Sequence, residues 1–181
     1  MFRGIVRKIA DRYIYRNLEV ERSVVAVNLL KASNIGFLVN VTEKQHYLEY
    51  RKLMNELESK NKKAKLTAIG WYKGKKMPEF VKPSERLTLF NKADYNLIFR
   101  PKKKSTGIKK FLDNDFDLLI DLTRNDNYPL RKVLSLTRSS FKVGAFEAGN
   151  EPFYDFMIKY RSAKDYTVQL VHYLSQLNKN V

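Results

Sequence analysis

The densest grouping of reactive side-chain types is Asp121-Leu122-Thr123-Arg124-Asn125-Asp126, where two carboxylates flank a guanidinium. A carboxylate beside an arginine can serve phosphoester or glycosidic chemistry, the acid handling a proton while the cation holds an anion. Asp121 and Arg124 are therefore the candidate catalytic pair. The same string also suits a plain strand-to-helix turn, because Asp and Asn form local hydrogen bonds there. The second grouping is cationic. Lys73, Lys75 and Lys76 follow Trp71-Tyr72, and Arg100, Lys102, Lys103 and Lys104 follow Phe99, while Arg3, Arg7, Lys8, Arg12 and Arg16 recur along the first twenty residues. Lysine and arginine neutralise phosphates and release counterions, and interleaved aromatic rings can stack on unpaired bases. The aromatics carry less of that argument, since Trp71 and Phe99 each end an expected strand and fit a core.

Conventional cofactor chemistry has no foothold. The chain contains no cysteine, so disulfides, thiolate metal sites and cysteine nucleophiles are excluded. Its two histidines, His46 and His172, are far apart in sequence, and no histidine-based metal site is expected. There is no Gly-x-Gly-x-x-Gly after the first expected strand, no Walker-type lysine loop and no Gly-x-Ser-x-Gly elbow. No cofactor and no metal are expected. The start, Met1 to Lys8, lacks the apolar core and cleavage site of a signal peptide, and no window approaches the ~18 apolar residues of a membrane span. These features lead to the expectation of a cytoplasmic protein.

Charge is the strongest signal. The 181 residues carry a formal net charge of +16. Residues 1–110 hold 26 Lys+Arg against 10 Asp+Glu, whereas residues 111–181 hold nine of each, so the first three-fifths carry the whole excess. Such asymmetry points to a polyanion, nucleic acid first and an anionic membrane surface second; a merely soluble surface is the bland reading.

These groups need a scaffold, and the sequence supplies one. Asp117 to Leu122 reads as a buried strand, Tyr128 to about Arg138 as a helix with Pro129 in its first turn, and Phe141 to Phe146 as a returning strand, with Ser139-Ser140 as the break. Ile35 to Asn40, a helix opened by a Thr42/Gln45 capping box and carrying Tyr47, Leu48, Leu53, Met54 and Leu57, and Lys65 to Trp71 form a second strand–helix–strand unit. Leu87–Phe90 and Tyr95–Phe99 suit short strands, Phe111–Asp115 a short helix, Phe153–Ile158 an edge strand, and Ser162–Leu177 a last helix with Tyr166, Leu170, Tyr173, Leu174 and Leu177 inward. Phe2 to Val20 has the spacing of a basic amphipathic helix. The fold class is α/β: a three-layer Rossmann-like domain over 33–181 with a mostly parallel sheet of about five strands, preceded by a basic helical extension over 1–32. Chemistry should then sit beyond the carboxyl ends of the strands, at 40–42, 71–73, 121–126 and 145–149.

Two resemblances attach to particular residues. Phe116 to Leu122, Leu130, Leu134 to Leu136 and Phe141 to Phe146 resemble part of the N-terminal domain of heptosyltransferase-type glycosyltransferases. This chain lacks room for the second domain that holds the nucleotide sugar in that family, so the likeness does not imply transferase activity. The whole chain is also similar to a family of small, basic bacterial proteins of unknown function, through Ile35 to Val39, Phe116 to Leu122 and Phe141 to Gly144. That likeness implies a fold and no activity. The resulting expectation is a non-enzymatic RNA-binding protein, with the ribosome as a candidate partner and the twelve named cations on phosphates. A reduced glycosyltransferase-like or phosphoester-handling enzyme and a peripheral membrane protein held by the N-terminal helix remain open.

Overall fold

The computed structural model describes residues 11–178 apart from 13, 17, 19–21, 83, 97–100, 103, 125 and 126. Its centre is β1 (Asn34–Asn40), whose Ile35 to Val39 are all buried, the pattern of a strand covered on both faces. Around it lies an all-parallel six-stranded sheet in the order β3-β2-β1-β4-β5-β6, formed with β2 (Lys65–Trp71), β3 (Leu87–Phe90), β4 (Asp115–Asp121), β5 (Arg138–Ala145) and β6 (Phe156–Ile158). This is the strand order of the doubly wound dinucleotide-binding fold, with its reversal between β1 and β4. The first three strands occupy one half of the sheet and the last three the other.

Helices cover both faces. On one face, α1 (Lys44–Lys60) and the C-terminal helix pack Tyr47, Tyr50, Leu53, Met54, Leu57, Tyr166, Leu170 and Leu174 against Phe37, Val39 and Ile120. On the other, α2 (Thr106–Leu112) and α3 (Tyr128–Leu136) contribute Ile108, Phe111, Leu130, Val133 and Leu134, packed against Leu38, Ile69 and Leu119. The C-terminal helix, α4 (Ala163–Gln176), begins as the sequence suggests, with the Ser162 hydroxyl accepting from the Asp165 amide. The three-layer arrangement is thus as expected, with six strands rather than about five.

Several local readings give way to tertiary context. The Thr42/Gln45 capping box does not form: α1 starts at Lys44, its N-cap Glu43 makes no side-chain bond to the helix, and the Asn40 carboxamide accepts the Thr42 amide at 3.1 Å. Leu48 and Tyr173 point outward at 49% and 47% exposure, and Tyr50 and Val171 are buried instead. Ser139-Ser140 lies inside β5, where parallel pairing with β4 overrides the polar break and the Ser139 hydroxyl donates to the Phe141 carbonyl. The short helix begins at Thr106 rather than Phe111, and Gly107 lets it lie tight on β3, since a Cβ there would come within 2.6 Å of Thr88 Cγ2. Tyr95 forms an isolated bridge to Pro101, and residues 97–99 of that expected strand lie outside the described residues.

The N-terminal segment is helical at residues 11, 12, 14–16 and 18. Ile14 is 1% exposed in the same cluster as α3 and Phe153, and Tyr15 sits 5.6 Å from the Phe153 ring. The chain then runs along the outer edge of β5 below β6. There the Val25 amide donates to the Ser140 carbonyl, Arg22 to the Ser139 carbonyl, and Asp155 both accepts from the Lys142 amide and donates its own amide to the Lys142 carbonyl. Backbone groups that an edge would leave open are thereby satisfied. Beyond this edge, Leu29 packs into the α1–α4 layer and its amide donates to the Leu174 carbonyl.

Candidate nucleic-acid interface and the switch-point carboxylate

Asp121 ends β4 at the strand-order reversal and is 2% exposed. Its Oδ1 accepts from the Thr123 amide at 2.7 Å and the Thr123 hydroxyl at 2.6 Å, and its Oδ2 accepts from the Tyr154 hydroxyl at 2.8 Å. The Tyr166 hydroxyl donates to its main-chain carbonyl at 2.8 Å. Burial pushes the Asp121 carboxyl up from the usual carboxylate range, against the pull of the Thr123 and Tyr154 hydrogen bonds. The Tyr154 ring reaches Asp121 by crossing β5 at Gly144, where a Cβ would lie 2.4 Å from the ring. Only glycine permits that passage.

Arg124 is buried too, and its guanidinium pairs with Glu49 of α1 at 2.7 Å. Arg131 of α3 donates to the Asn150 carboxamide at 2.9 Å and lies 5.0 Å from the centre of the Phe153 ring. The space enclosed by Asp121, Thr123, Arg124, Asn127, Glu147 and Tyr154 is about 10 Å³, room for about one water. Among the described residues, the two candidate catalytic side chains are brought to one end of the sheet and occupied by protein partners. They tie β4 to α1, α4 and the β5–β6 connection.

The cations are arranged by the strand order. From Asn61 to Leu112, which spans β2, β3 and α2, there are 15 Lys+Arg against three Asp+Glu, and these elements form one flank of the sheet. Residues 111–181, which are neutral, build the β4-β5-β6 half. Lys73, Lys75 and Lys76 are exposed just past β2, and Lys102 and Lys104 are exposed past the adjoining β3. The two loops are joined by Asn91 donating to the Tyr72 hydroxyl at 2.8 Å and by Tyr95 packed 5.5 Å from Trp71, and the second is closed by the Lys102 amide on the Asp94 carbonyl. Trp71 is 8% exposed, so it supports the loop rather than offering a stacking face. Arg12 and Arg16 are exposed on the N-terminal helical segment that packs with α3 and Phe153, apart from the lysine loops. Arg3, Arg7, Lys8, Arg100 and Lys103 lie outside the described residues.

A family model described as a family of unknown function (DUF6913) matches residues 7–177. The chain belongs to that family. No curated protein and no solved structure matches it. No resemblance of residues 116–146 to glycosyltransferases is shown by these comparisons.

In this DUF6913 chain, sequence reasoning named Asp121 and Arg124 but missed the partners that define them. Glu49 and Tyr154 are far away in the sequence and meet them only through the strand order. One local signal was available: Gly144 sits in an otherwise side-chain-filled strand, and glycine there marks close approach of another group. Among the described residues, no three His, Cys, Asp or Glu side chains gather where they could hold a metal, and no helix is long and apolar enough to cross a membrane.

Proposed function

We propose that this protein binds RNA without catalysing a reaction on it, through the lysine-rich flank made by β2, β3 and α2. One observation carries the reading: the strand order turns a charge asymmetry along the chain into a charge asymmetry across the molecule, with 13 Lys+Arg against three Asp+Glu among the described residues of that flank. A flank rich in cations attracts a phosphate backbone and supplies affinity whatever its sequence. The seven residues of β2 run about 20 Å from Lys65 to Trp71, with Lys73 just beyond. At 3.4 Å per stacked nucleotide that matches about six nucleotides. Ribonucleoprotein, with the ribosome as the most abundant example, is the proposed partner, and the cytoplasm the proposed compartment.

The competing readings have less behind them. An enzyme using Asp121 and Arg124 would need both freed from their present partners. Insertion of the N-terminal helix into a membrane would need its apolar face, and Ile14 on that face is spent in the core. The test is a filter-binding titration of the full chain with RNA across a salt series. Affinity should fall with a log–log slope of roughly −0.7 to −0.9 per phosphate contacted. No affinity at low salt would remove the proposal.

A further inference from the structure

Below β3, the sheet leaves part of β2 uncovered. β3 begins at Leu87, paired with Ala68, so Lys65, Leu66 and Thr67 run on past its end. The Lys65 amide donates to the Ser33 carbonyl beside β1 at 2.8 Å. Alternation along a strand then turns the N–H and C=O of Leu66 to the outer side. That side opens into a groove of about 650 Å³ whose walls include Lys65, Thr67, Arg86, Thr88 and Lys110. It lies at the opposite end of the strands from the plugged switch point.

The groove offers the groups a nucleotide requires. Leu66 presents one donor and one acceptor, as the edge of a base does, and the Thr67 and Thr88 side chains add hydroxyls that can do either. Lys65 and Lys110 are exposed on its rim, Lys65 within 3.1 Å of the Asn114 carboxamide. Arg86 is paired with Glu58, and the Glu85 carboxylate also lines the groove, so the two lysines are the cations placed to meet a phosphate. A peptide strand is a poorer fit, because a single residue's backbone pair is too short an edge for strand addition. A duplex hides the base edges that the groove would read.

We infer that this groove accepts one unpaired nucleotide of single-stranded RNA, its base against the free edge of β2 and its phosphate between Lys65 and Lys110. The inference rests on the RNA-binding reading and gives it a site. The experiment follows backbone amides of the ¹⁵N-labelled full chain by NMR during titration with AMP, UMP and hexa-adenylate, and measures hexa-adenylate affinity for the chain and for its K65Q/K110Q variant. The expected result is movement of the Leu66, Thr67 and Thr88 amides, with the double variant weakened about tenfold and its salt slope reduced in magnitude by roughly 0.7, one phosphate's worth. If hexa-adenylate binds while those amides stay still, or if K65Q/K110Q binds it unchanged, the groove is not the site although RNA binding stands. Absence of any RNA affinity overturns both.

Discussion

At the scale of single residues, the switch point shows what a buried polar group requires of its neighbours. Asp121 is tolerated because three side-chain and backbone donors reach its two oxygens, and one of them, Tyr154, reaches it only across Gly144. G144A should therefore destabilise the protein by about 1–3 kcal/mol through overpacking, read as a lower denaturant midpoint at unchanged slope. Lys142 offers a second test. It is 4% exposed, its ammonium donates to the Leu134 carbonyl at the end of α3, and burial lowers its pKa from 10.5 to about 8. Between those values the folded protein binds fewer protons than the unfolded chain, so this group makes stability rise with pH from about 8 upward. Below pH 8 the charged lysine costs about 3 kcal/mol relative to its unfolded state. Urea midpoints measured from pH 7 to 9.5 should climb more steeply for the native chain than for K142M, and parallel curves would contradict the assignment.

At the scale of elements, what the sequence revealed and what it hid have physical causes. The β1–α1–β2 and β4–α3–β5 units were legible because long apolar runs alternate with helical spacing, and β2 matches its expected bounds at Lys65 and Trp71. Helix ends were less legible, since a cap depends on competing local bonds: Asn40 takes the Thr42 amide and the helix begins at Lys44. The Ser139-Ser140 pair misled for a similar reason, because a ladder with β4 outweighs weak propensity. Nothing in the sequence announced that the segment around Val25 would seal the β5 edge, as that contact joins residues more than a hundred positions apart. V25P removes the amide that donates to Ser140. It should lower stability by about 1–3 kcal/mol, and size-exclusion chromatography should show more self-association as the edge opens. An unchanged denaturant midpoint would mean the strap contributes little.

At the scale of the whole molecule, the order in which strands are laid down decides whether a lopsided sequence makes a lopsided surface. In a doubly wound sheet of this order the first three strands stay together, so the described cations of residues 61–112 share a flank instead of being mixed with the β4-β5-β6 half. Charge reversal should then be regional. The most direct measurement compares RNA affinity, by filter binding at several salt concentrations, for the native chain, for K73E/K75E/K76E, and for K159E/R161E between β6 and α4. The account predicts that the first variant loses at least about tenfold and flattens its salt dependence by roughly 0.7 per contact removed, while the second stays within about twofold. Equal losses in the two variants, or no affinity in any of them, would contradict it.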